Sequence, residues 1–245
     1  MKKIADFLRR GFLQNVVIVL YFLTLAAEGY FLYYRYYNTR IYTRPTLMPM
    51  LFLIYLQQFI SRNHLLLLGA MIAACLGDYL TIEFIVFHQW IGLGCYALSF
   101  ILVALQFFKF EWFSLKTGKM AAFISLVGLF TYYGIMEYFL HSHNLFINNK
   151  VLIYLYAASI AVLSTSVLNI YFNNKANNYK FAVIAVLFLV LANISFESSI
   201  YYFHRRVTWI DVITATLYGC YQFFIVKGII RTKDKILGTE YFKQI

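Results

Sequence analysis

Five acidic residues fall inside or at the edge of long apolar runs, and they are where this chain could do chemistry: Glu28, Asp78, Glu137, Glu197 and Asp211. A carboxylate at the centre of a membrane-spanning helix costs roughly 2.5–3.5 kcal/mol on insertion scales, and less near an interface. Such residues are rare, usually face a protein-lined cavity, and often mark a functional site. Asp78 lies four residues before the end of the run Leu65–Ile82, and Glu197 is similarly set inside its own run. Two carboxylates at matching depth on different helices could face each other across a cavity. Desolvation and like charge would then leave one protonated and the other ionised. That supplies an acid and a base from one residue type. Acid-catalysed hydrolysis needs such a pair, and so does a proton-coupled transporter.

The elements that must position these acids are membrane helices. Of 245 residues, 62% are hydrophobic and only 13% charged. A soluble domain averages about 25% charged residues, so no water-facing shell can be assembled here. Two prolines and 12 glycines argue against a turn-rich barrel, whose strands are also shorter than these apolar runs. The expected fold is an all-α, polytopic bundle of about eight transmembrane helices forming a single domain, residues 1–245.

Hydropathy places the spans at Phe12–Tyr33, Thr46–Ile60, Leu65–Ile82, Ile85–Phe108, Met120–Leu140, Val151–Phe172, Phe181–Phe203 and Thr208–Ile230. The first is too long for a secretory signal core despite the basic residues before it. Pro45 and Pro49 fit the start of the second, where missing N–H groups matter least. Alternating direction then puts all five acids at one bilayer face, roughly 4–9 Å inside their helix ends. His88, His141, His143 and His204 belong to that face, and His64 does not. None has metal-ligand spacing, so neither a metal nor a cofactor is expected. Glu137 and Asp211, three residues from their helix ends, also suit plain interfacial positions.

The net charge of +11 is spread over short loops and reads as topology, so no nucleic-acid partner is expected. With the N-terminus inside, 15 Lys and Arg fall on the cytoplasmic side and six on the other, Arg35, Arg40 and Arg44 among the six. Both termini are therefore expected in the cytoplasm, in a plasma or inner membrane. Cys75, Cys95 and Cys220 sit in apolar runs and read as small buried side chains.

Several of these residues resemble segments of the YhhN family, eight-span membrane proteins that include the lysoplasmalogenases. Thr43-Arg44-Pro45-Thr46-Leu47-Met48-Pro49-Met50-Leu51 is similar to its Thr-Lys-Pro-Leu-x-x-Pro-Leu-Leu segment. Gly77-Asp78-Tyr79-Leu80 is similar to its Gly-Asp-x-x-Leu, and Gly92-Leu93 to the Gly-Leu opening the next helix. Tyr221-Gln222, with Gly228 beyond, is similar to its terminal span. Ser99 stands where the family usually has His, and Phe196-Glu197 where it has Ser-Asp. The resemblance implies hydrolysis of the vinyl-ether bond of a lysophospholipid, the lysoplasmalogens, to a fatty aldehyde and a glycerophospho-base. It implies Asp78 and Glu197 as catalytic carboxylates, Glu197 as acid and Asp78 as ionised partner or the reverse. Arg44, Ser99, Tyr221 and Gln222 would bind substrate, with Arg44, Arg205 or Arg206 near the phosphate.

Two other readings keep the same bundle. One is a proton-coupled carrier, suggested by acids recurring on spans one and five and again on three and seven. The other is a catalytically silent membrane scaffold, favoured by Ser99 and Phe196.

Overall fold

The computed structural model describes the backbone of residues 2–58, 65–82, 86–110, 118–128, 150–174, 179–201 and 208–241; the side chains of 2–11, 37, 56–58, 82, 86–90, 109–110, 150, 174, 197–201 and 230–241, that of Glu197 included, lie outside the description. Within these limits the chain is all-helical: α1 (Lys2–Tyr33), α2 (Tyr37–Gln58), α3 (Leu65–Ile82), α4 (Val86–Phe110), α5 (Gly118–Gly128), α6 (Lys150–Asn174), α7 (Lys180–Tyr201) and α8 (Thr208–Tyr241). No strand occurs among the described residues. Among the described residues four stretches are long and apolar enough to cross a membrane: Phe12–Tyr33, Ile91–Phe108, Val151–Asn173 and Thr208–Ile229. Leu65–Thr81, Gly118–Gly128 and Lys180–Phe196 are apolar but shorter. Together these helices fit a multi-pass membrane protein. Most of the expected fifth span and all of Glu137, His64, His141, His143, His204, Arg205 and Arg206 lie outside the described residues, as does the side chain of His88.

Around the bundle α1 packs on α2, α2 on α3, α3 on α4, α4 on α6, α6 on α7 and α7 on α8, and α8 closes the circuit against α1. α8 also touches α2 and α4, so it runs through the middle. Its inner face carries Tyr221, Phe223, Ile225, Val226 and Ile229, all buried in one continuous core with Tyr21, Leu51, Phe100 and Leu189. Large apolar side chains such as Phe12, Leu23, Leu65, Ile72, Leu98 and Leu187 point outward. That inversion of the soluble pattern suits a lipid solvent.

Close approach depends on small residues, as expected where lipid removes the hydrophobic drive between helices. A Cβ on Gly77 would lie 2.8 Å from the Tyr96 ring, and one on Gly92 would lie 3.3 Å from the Gly77 carbonyl. α3 and α4 therefore cross at this glycine pair. On α8, Gly228 lies against the Ala182 backbone of α7.

α2 departs from the expected span. It starts at Tyr37, well before Thr46, and carries Pro45 and Pro49 in its interior. α1 ends in a Schellman turn: Tyr36 N–H donates to Phe31 C=O (2.8 Å) and Arg35 N–H to Leu32 C=O (3.2 Å). Arg35 takes the left-handed position (φ 59°) usually given to glycine, and Tyr36 and Phe31 meet edge-to-face across the turn at 6.5 Å. This tight reversal lets α2 begin early. The second proline does not end it because the carbonyl it frees finds another donor. Pro49 has no N–H for the Pro45 carbonyl, and the Cys75 thiol donates to that carbonyl instead, at 3.4 Å.

Candidate functional site

The early start of α2 turns two expected loop arginines into helical, inward-facing ones. Arg40 and Arg44 are four apart and so share a face. Arg40 reaches α1, where its Nε and Nη2 both lie 2.8 Å from Glu28 Oε1. Thr43 Oγ1 donates to Glu28 Oε2 at 2.6 Å. Arg44 reaches α3, where its Nε donates to Asp78 Oδ1 at 3.1 Å. Glu28 and Asp78 are each 1% exposed. Each of these two acids thus has its own arginine from α2. The reason is electrostatic: a buried ion without a counter-charge is far costlier than a hydrogen-bonded pair.

Asp78 is the more elaborate centre, drawing side chains from three other helices. Tyr96 of α4 donates to Oδ1 at 2.7 Å, and Arg44 Nη2 donates to the same Tyr96 hydroxyl at 3.0 Å. Gln222 of α8 donates from Nε2 to Oδ2 at 3.2 Å. Thr81, one turn along α3, lies 3.2 Å from the Tyr96 hydroxyl. Among the described residues every direct partner of the carboxylate is a donor, an arrangement that suits the ionised form. Two bonds fall on Oδ1 and one on Oδ2. A carboxylate has about four acceptor positions, which leaves Oδ2 able to accept one more donor, from water or from a substrate.

Three residues anticipated from sequence, Asp78, Arg44 and Gln222, are therefore brought into direct contact. Arg44 touches the carboxylate, which is a different role from the expected one near a phosphate. Tyr221 is buried beside them, but its ring packs on Phe100 (5.7 Å) and Tyr218 (5.6 Å), a core position. Ser99 is buried on α4 and joins none of the bonds around Asp78. Glu197 lies on α7, which packs on α6 and α8, and its side chain is outside the described residues. Asp211 opens α8 and is half-buried.

Sequence reasoning missed Tyr96 and the pairing of Arg40 with Glu28. A signal for Tyr96 was present: it follows Gly92 by four residues, so it shares the face that α4 turns to Gly77 and Asp78. Among the described residues no cluster of His, Cys, Asp and Glu could hold a metal ion. Cys75, Cys95 and Cys220 are free thiols, half-buried. The chain matches no family model, no curated protein and no solved structure.

Proposed function

We propose that this protein is an integral membrane hydrolase of the lysoplasmalogenase type, cleaving the vinyl ether of a lysophospholipid. The observation that carries the reading is Asp78, a carboxylate sealed in a bundle of apolar helices, caged by donors and still able to accept at Oδ2. Vinyl-ether hydrolysis begins with proton transfer to the β-carbon of the double bond, which leaves an oxocarbenium ion. Water adds to that ion and loses a proton, and the hemiacetal then collapses to a fatty aldehyde and the glycerophospho-base. One water is consumed and the proton is returned.

An ionised Asp78 suits the second half of this sequence, stabilising the cation and taking the proton from water. Glu197 is assigned the first proton transfer. Arg44 and Tyr96 position Asp78, and Gln222 holds its second oxygen. The aliphatic chain would lie between helices. The proposed setting is a plasma or inner membrane with both termini in the cytoplasm.

The test is aldehyde release from lysoplasmalogen in mixed micelles by the purified protein and by Asp78→Asn and Glu197→Gln. Loss of release in both folded variants is the expected result. Retained release in either one refutes its assigned role.

A second reading is favoured by one observation, the Arg44–Asp78 ion pair at 3.1 Å. A carboxylate joined to donors on α2, α4 and α8 can also serve as a structural clip in a catalytically silent scaffold. In that case the wild type releases no aldehyde, and Asp78→Asn only lowers the unfolding temperature.

A further inference from the structure

α8 carries three buried polar atoms that find no hydrogen-bond partner among the described residues: Thr214 Oγ1, Tyr218 Oη and Gln222 Oε1. They recur every four residues, so they follow one side of the helix over on the order of 12 Å. Gln222 is wholly buried, and its other amide atom is bonded to Asp78 Oδ2. Oε1 is therefore anchored beside the carboxylate oxygen that has accepting capacity to spare. The Tyr218 ring packs edge-on against Tyr96 at 5.4 Å, and Tyr96 is the phenol that donates to Asp78.

Thr214 makes the pattern sharper. A helical threonine ordinarily satisfies its hydroxyl on the carbonyl four residues back. Thr24, Thr165 and Thr216 do so, at 2.9, 2.8 and 2.8 Å. Thr216 is on the exposed side of the same helix, two residues from Thr214. Thr214 does not fold back in this way. A buried polar atom left unbonded costs about 1–3 kcal/mol, and three along one side of one helix are unlike scattered packing faults. Their chemistry is mixed: Gln222 Oε1 and Asp78 Oδ2 only accept, while the two hydroxyls both donate and accept. Water, with two donors and two acceptors, matches that series.

We infer that α8 binds a file of water molecules running along Thr214, Tyr218 and Gln222 to Asp78, leading from the end of the helix that Asp211 opens. A bound water typically makes about three hydrogen bonds to buried polar groups, and the last in the file donates to both Gln222 Oε1 and Asp78 Oδ2. Its use depends on the hydrolase reading, since water is the second reactant there, but its existence does not.

Radiolytic hydroxyl labelling of the purified full-length protein in nanodiscs tests this, because side chains touching bound water are oxidised by radicals formed in place. Tyr21 is the internal control: it is fully buried and its hydroxyl is taken up by the Gly219 carbonyl at 2.7 Å, whereas the Tyr218 ring is partly buried and only its hydroxyl is sealed. Tyr218 should be modified at least several-fold faster than Tyr21. Thr214→Val should slow Tyr218 modification and leave Tyr21 unchanged, while Thr214→Ser keeps the wild-type rate. Equal, slow modification of Tyr218 and Tyr21 in the wild type, or a Tyr218 rate that Thr214→Val leaves unchanged, overturns the inference. Aldehyde release measured on the same samples separates the two ideas. Fast Tyr218 labelling that depends on Thr214, without release, upholds the water file and removes the hydrolase reading, and release without such labelling does the opposite.

Discussion

At Asp78 the penalty of a charge in the bundle interior is offset by donors from α2, α4 and α8. The arrangement makes the partners interdependent. Removing Arg44 leaves an anion with only neutral donors, and removing Asp78 leaves a guanidinium facing a phenol and an amide. Breaking one side of a buried pair costs about 3–5 kcal/mol, whereas replacing both sides with apolar groups can be nearly neutral. Arg44→Met and Asp78→Leu should therefore each lower the unfolding midpoint of the detergent-solubilised protein markedly, and the double variant should recover most of the loss. Additive losses in that cycle would show that the pair does not act as a unit. The same cycle guards the activity test, since a variant that unfolds cannot report on catalysis.

Among the elements, the α3–α4 crossing decides whether Tyr96 can reach Asp78. Gly77 and Gly92 bring the helices together, and the Tyr96 ring lies over the place where a Gly77 side chain would be. Gly77→Ala must displace that ring or part the helices. Overpacking of this kind costs about 1–3 kcal/mol, and here it also draws the phenol away from Oδ1. The expected outcome is a lower melting temperature together with impaired aldehyde release. Gly94→Ala is the control, because a Cβ there meets nothing within 4 Å. It should be neutral or stabilising by up to about 1 kcal/mol, through helix propensity alone. A fully active, stable Gly77→Ala protein would mean that the crossing tolerates a wider gap than its geometry shows.

For the whole molecule, the arginine pairs on α2 bear on how the chain sits in its membrane. The three arginines between the first two expected spans were the chief charges opposing an inside N-terminus. Two of them are paired inside the protein, Arg40 buried against Glu28 and Arg44 half-buried against Asp78, and so their charges are largely offset. The contrast of 15 basic residues against six thereby becomes steeper in favour of cytoplasmic termini. Reporter fusions at each end should behave as cytoplasmic: a fluorescent protein should fold and alkaline phosphatase should stay inactive. Active phosphatase at both termini would reverse the proposed orientation and move the acid-bearing face to the cytoplasmic side.

Much of this was legible along the chain. Apolar runs near 20 residues long admit little except helices, because a bilayer satisfies no backbone hydrogen bonds, and an acid such as Asp78 within one stands out for the same reason. Gln222 and Arg44 were also legible as candidates, though not as partners of that acid. What one dimension does not carry is which side chains converge. Arg44 and Asp78 are 34 positions apart, and Asp78 and Gln222 are 144. Their meeting depends on how tightly the chain reverses at Arg35 and on where glycines let α3 and α4 close. The early start of α2 was hidden by its prolines, and the cost of the second is decided by a donor on another helix, the Cys75 thiol. Charge pairing in a low-dielectric interior is a property of distance through space, so it emerges only once the helices are packed.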